Sequence, residues 1–239
     1  MSLEELQAVP TPAATATHFP IPFARTLDIT LSNLRDAGFT PTKQRLALLR
    51  NERFFATIDL ESTLVTGVNM AVAIRSSHDA SLAYGFVAGN RTFCCDNLAM
   101  SSDLSVHVKR KHTKNGEECF ATAMSKTIRE RLPQFQQHEA ARIEHMQHTP
   151  MSDANAESML LRLYQDEGIL SPRNLPVALK EWREPSFHDF DERNVWRLYS
   201  AITYAIAPRF QANPQAAAAA TIRLGGLLEV QPMLHVTAA

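Results

Sequence analysis

The 239-residue chain is 45% hydrophobic and 21% charged with a net charge of −1, the composition of a globular protein that can bury a substantial core. That balance argues against a disordered chain and against the global basic field of a nonspecific nucleic-acid binder, so any such binding must come from a local patch. Apolar stretches are broken by charge before the roughly 20 residues a bilayer span needs, and no basic segment followed by an apolar one opens the chain. No membrane association and a cytoplasmic setting are expected. Of three cysteines, Cys94 and Cys95 are adjacent and would point to opposite faces of a strand, and Cys119 stands apart; poor pairing fits a reducing compartment.

In chain order, residues 2–8 suit a short helical turn, after which Pro10, Pro12, Pro20 and Pro22 make an irregular arm. Phe23, Leu27, Leu31 and Leu34 recur at helical spacing, and Gly38 supplies a stop. From about Leu46 to Lys111 the period becomes two. Phe54, Ala56, Ile58 and Leu60 alternate with Phe55, Thr57 and Asp59, and Met70, Val72 and Ile74 alternate with Asn69, Ala71, Ala73 and Arg75, as in half-buried strands. Leu82, Tyr84 and Phe86 repeat the pattern. Asn51-Glu52 suits one hairpin turn, and Gly89-Asn90 suits another leading into Arg91, Phe93 and Cys95. A last strand is expected over Leu104–Lys111, with Val106 and Val108 inward and His107, Lys109 and Lys111 outward.

Beyond it the helical period returns. Asn115 and Glu118 resemble a capping pair before the stripe Phe120, Ala123, Met124, Thr127 and Ile128, and Pro133 kinks or restarts that helix. Phe135, Ala140, Ile143 and Met146 mark a second helix, Ser152 or Asp153 caps a third that ends at Gly168, and Asn174 with Pro176 opens a short one. Asp189 or Asp191 opens the clearest, with Val195, Leu198, Tyr199, Ile202 and Ile206 on one side before Pro208; Gln211–Leu228 is alanine-rich and helical. The expected fold is α+β, an antiparallel meander of five or six strands packed against and followed by helices. Its parts are an arm over 1–22, one domain over 23–230 (sheet-rich 44–112, helical 115–230) and a tail over 231–239.

No phosphate-cradling glycine loop, paired-cysteine zinc motif, metalloprotease helix or nucleophile elbow is present. No catalytic residue, cofactor or metal is therefore assigned, and a non-enzymatic role is favoured; the spacing of His78, His107 and His112 matches no standard ligand set. Ser76, Ser77, His78, Asp79 and Ser81 in one loop, with Arg91, Cys95, Asp96 and Asn97 two strands later, would share one sheet edge. They make either a small polar site on His78, Asp79, Cys95 and Asn97 or ordinary turn chemistry. His107, Lys109, Arg110, Lys111, His112 and Lys114 form the strongest local charge feature. Such a stripe pairs with phosphates, yet lysines on an edge strand equally block edge-to-edge association, and both readings stay open.

Three ordered segments, Arg75-Ser-Ser-His-Asp-Ala-Ser81, Arg91-Thr-Phe-Cys-Cys-Asp-Asn97 and the basic run ending Lys111-His-Thr113, together with Asn194-Val-Trp-Arg-Leu-Tyr-Ser-Ala-Ile-Thr-Tyr204, resemble the phage/plasmid-like family of domain of unknown function 932. The resemblance covers roughly 24–228; where the family commonly has Asp-Gly, this chain has Asp79-Ala80. It implies a phage, prophage or plasmid setting inside a bacterial host and brings no activity with it. The expected function is a nucleic-acid-binding accessory protein, similar in outline to single-strand annealing proteins and forming a homo-oligomer. Lys109, Arg110, Lys111 and Lys114 would contact phosphates, with Arg91 contributing. The alternative is a host-interaction or anti-defence factor that binds a host protein through the charged helices around 134–148. A small enzyme at the 76–81 loop is third.

Overall fold

A computed structural model describes residues 1–92, 97–100 and 106–229. The chain is α+β, as its hydrophobic periods predict. Short α1 (Leu3–Gln7) and α2 (Phe23–Asp36) precede strands β1 (Pro41–Leu49), β2 (Arg53–Val65), β3 (Val68–Ser77), β4 (Tyr84–Thr92), β5 (Asn97–Met100) and β6 (His107–Arg110). The sheet runs in the order β1-β2-β3-β4-β5, with β6 pairing antiparallel to β4. Helices follow: α3 (Gly116–Glu130), α4 (Leu132–His148), α5 (Asp153–Gln165), α6 (Asn174–Arg183), α7 (Val195–Ile206), α8 (Arg209–Ala212) and α9 (Pro214–Glu229).

Backbone packing divides the chain into two compact units, the first made of Met1–Leu64, Asn69–Asn90 and Asp103–Gln137, the second of Val65–Val68, Arg91–Ser102 and His138–Ala239. In the first, α2 turns Phe23, Leu27, Leu31 and Leu34 inward and packs against α3, whose Phe120, Met124 and Ile128 are buried. Phe23 stacks on Phe54 of β2 with ring centroids 5.4 Å apart. In the second, α7 is buried at every residue except Tyr204 and packs against α6, α9 and β5.

Hairpin chemistry fixes the register. Arg50 and Asn51 both take positive φ, 54° and 57°, and Glu52 N–H donates to Leu49 O at 3.1 Å, the geometry that matches the twist of the flanking strands. The turn thus sits one residue earlier than Asn51-Glu52. Its strands pair Leu48 with Phe54, Leu46 with Ala56 and Arg45 with Thr57.

Several expectations need correction. Gly89-Asn90 makes no turn: β4 runs through both residues, which are buried in mid-strand. Glycine within a strand serves equally where a neighbouring side chain comes close, and Gly85 of the same strand is such a case. The alternating stretches of β2 and β3 are also not half-buried, for β2 is buried from Phe54 through Leu60, Thr57 and Asp59 included, and β3 from Met70 through Ile74. Alternation there separates an apolar face from a more polar one, and over these stretches both are covered. Asn115 stands at the N-cap of α3 without a side-chain bond. Finally, α7 opens at Asn194, whose side chain accepts from Arg197 N–H at 2.8 Å; Asp189 lies in a short 3-10 turn (His188–Phe190) upstream.

Candidate nucleic-acid interface

The basic run lies on β6 and the turn that follows it. Register pairs Tyr84 with Arg110, Gly85 with Lys109, Phe86 with Val108 and Val87 with His107. Val106 and Val108 are buried, while Lys109, Arg110, Lys111 and Lys114 are exposed. Past Arg110 the chain tightens: Thr113 N–H donates to Lys111 O at 3.0 Å and Gly116 N–H to Thr113 O at 2.8 Å. A Cβ on Gly116 would stand 2.6 Å from Lys111 O, so glycine is what lets α3 begin against this loop. Arg110 Nη1 donates to Lys109 O at 2.8 Å. No ion pair joins any of the four cations to an acid among the described residues; nearby Glu117 is instead paired with Arg25 at 2.8 Å.

One residue of the site escapes the sequence reading. Arg75 of β3 lies across Gly85 of β4, where an added Cβ would come within 2.9 Å of its Cγ and Nε. Directly paired strand residues project to one side of the sheet, so Arg75 shares its face with Lys109, the partner of Gly85. The other half-buried arginines of this sheet have carboxylates: Arg45 pairs with Asp59 at 2.6 Å and Arg53 with Asp79 at 2.8 Å. Arg75 has neither hydrogen bond nor ion pair among the described residues, and burial alone lowers its pKa. Its sequence signal was a lone charge at the end of the small-residue parity Ala71, Ala73.

At the strand ends the polar loop performs turn chemistry. Asp79 accepts from Ser81 N–H at 3.0 Å and from the Ser81 hydroxyl, and holds Arg53. Against a desolvation that would raise its pKa, the bonds from Ser81, Arg53 and Ser77 keep the carboxyl well below the usual carboxylate range. His78 is 7% exposed, stacked on Phe23 at 3.7 Å, with Nε2 on Ile21 O at 3.1 Å; burial lowers its pKa.

His112 belongs to this buried set and not to the outward face of the basic run. It is 5% exposed, lies 3.7 Å from the Tyr84 ring and 4.9 Å from His18, and donates from Nε2 to Leu82 O at 2.9 Å. Together these rings clasp the N-terminal arm onto the sheet. His18 Nε2 reaches His78 O at 3.2 Å, Tyr84 Oη donates to Phe19 O at 3.2 Å, and Phe19 N–H donates to His112 O at 2.9 Å.

Arg91 is 3% exposed and belongs to the second unit. Asn97 opens β5 in that unit, and Cys95 lies outside the described residues. Among the described residues no three His, Cys, Asp or Glu side chains converge in a metal-holding group, and no helix is long and apolar enough to cross a membrane.

An α+β protein with an antiparallel sheet, one border of which carries the exposed cations Lys109 and Arg110, is the class that fold and site define. Within that class the chain belongs to the family described as a domain of unknown function (DUF932), whose model matches residues 20–206. The match takes in α2 through α7 and leaves α8 and α9 outside. No curated protein and no solved structure matches the chain.

Proposed function

We propose that this protein binds nucleic acid as an accessory factor, contacting the phosphate backbone through the β6 border. The observation that carries the reading is four exposed cations, Lys109, Arg110, Lys111 and Lys114, with no acidic partner among the described residues of a chain whose net charge is −1. A polyanion supplies the missing counter-charge and releases its own condensed cations on binding. Edge protection calls for lysines on the paired strand, yet Lys111 and Lys114 lie beyond Arg110, the last paired residue. No phenylalanine, tyrosine or tryptophan stands in the exposed class among the described residues, and the reading rests on contacts to phosphates, which carry little sequence preference.

Assembly of copies belongs to the same proposal. The opposite border, β1, carries exposed Lys43, so both borders are cationic. Edge-to-edge joining of bare copies is disfavoured, and self-association is expected on the nucleic acid.

Fluorescent single- and double-stranded oligonucleotides titrated across a salt series test the reading. Binding should weaken steeply with salt. Changing Lys109, Arg110 and Lys111 together to alanine should lower the single-strand salt slope by about 2, from three contacts at ~0.7 each. No binding at low salt overturns it.

A further inference from the structure

We propose that Arg75 seats a phosphate group of the nucleic acid on the sheet face it shares with Lys109, Gly85 between them keeping the guanidinium flat against β4. The inference rests on the nucleic-acid reading above and names the residue that shapes the contact.

A guanidinium presents five N–H donors in a planar fork. Arg75 is half-buried, yet no described residue accepts from it, whereas Arg45 and Arg53 each hold a carboxylate. Removing part of a charge's hydration without supplying an acceptor is costly, and the fold keeps Arg75 in that condition. A group that accepts two parallel N–H bonds and brings negative charge relieves it, and phosphate does both.

Geometry places the relief on the proposed interface. Gly85 on β4 stands between Arg75 on β3 and Lys109 on β6. Two strand spacings separate the outer pair by about 10 Å at the backbone, a gap that two long side chains close over one anion. Any side chain at position 85 would fill the space that Arg75 occupies, since even a Cβ comes within 2.9 Å of it. The plain alternative is an arginine whose stem covers the sheet and whose head meets water, and it makes a different prediction.

Two variants of the full chain separate these readings. Arg75→Lys keeps the charge and loses the fork; Gly85→Ala keeps the fork and lifts it from the strand. Each is titrated with a fluorescent single-stranded oligonucleotide at fixed salt beside the wild type, with thermal melts confirming folding. Loss of about tenfold in affinity is expected for Arg75→Lys, the scale of a charge-assisted bond, and a comparable loss for Gly85→Ala. Wild-type binding with Arg75→Lys within twofold of it overturns the seat and leaves the proposed function standing, and it does so even where Gly85→Ala fails to fold. No wild-type binding overturns both.

Discussion

Two arginines, one in each compact unit, meet burial in opposite ways. Arg197 is 4% exposed and all three guanidinium nitrogens donate: Nε reaches Trp182 O at 2.8 Å, Nη1 Asp191 O at 2.7 Å and Nη2 Arg183 O at 3.1 Å, while the guanidinium lies 5.3 Å from the Trp182 ring centre. It closes the C-terminal end of α6, whose last carbonyls have no partner within the helix. Arg75 is less buried and has no acceptor among the described residues. An arginine that completes a fold is recognised by spent donors; one whose donors are unspent is available to a ligand.

The comparison breaks first at Arg197. Arg197→Met keeps much of the stem's volume and leaves the carbonyls of Trp182, Arg183 and Asp191 without their donor. Loss of three charge-assisted bonds should cost about 3 kcal/mol or more, read by urea denaturation, with nucleic-acid affinity of the folded fraction unchanged. A cost near zero would remove the distinction between the two arginines.

A second contrast lies between the cations on β6 and the histidine two residues beyond them. His112 donates from Nε2, and its buried Nδ1 has no partner among the described residues. Burial first, then His18 and His78, push its pKa down to about 4, against ~6.5 in an unfolded chain. A base with a folded pKa below its unfolded value binds protons better when unfolded. Stability is therefore whole above about 6.5 and is lost as pH falls towards 4, by at most about 3.5 kcal/mol at ~1.4 per tenfold. Urea melts at stepped pH should show the loss, and His112→Gln should flatten it. Protease cleavage within residues 1–17 should rise over the same range, because the rings clasp that arm; an unchanged profile in the variant would detach His112 from acid sensitivity.

Smaller still is the cap of α7. Asn194 accepts from Arg197 N–H at 2.8 Å and donates to Gln147 O at 2.8 Å. Asn194→Ala should cost about 1 kcal/mol in the same melts.

How much of this was legible varies with the range of the interaction involved. Local period found α2 and strands β2 and β3, because Phe23 to Leu34, Phe54 to Leu60 and Asn69 to Arg75 each repeat at the spacing of one element. His112 lies past Arg110, the last paired residue, where strand alternation no longer applies, so its burial against Tyr84 and His18 could not be read from the run of lysines around it. Asn194 lost to Asp189 and Asp191 because all three are acceptable caps by residue type, and only the chain's return past Gln147 and Thr149 selects among them. Gly89-Asn90 reads as a turn in isolation, and pairing with neighbours extends the strand through it. Arg75 over Gly85 depends on two strands meeting in one register, which neither strand shows alone.

The smallest effect decides most. Arg75→Gln removes a half-buried charge that no described residue stabilises, so its cost to folding should lie within about 0.5 kcal/mol, and a slight gain is allowed because an uncompensated charge leaves the interior. Affinity for oligonucleotides should fall in the same protein. If instead urea melts show a loss above ~1.5 kcal/mol, then Arg75 carries folding energy as Arg197 does, its acceptor is internal, and the fork is not free for phosphate. At Arg75 affinity should fall while stability holds, and at Arg197 stability should fall while affinity holds; the pair of measurements discriminates the two roles without knowledge of the physiological ligand.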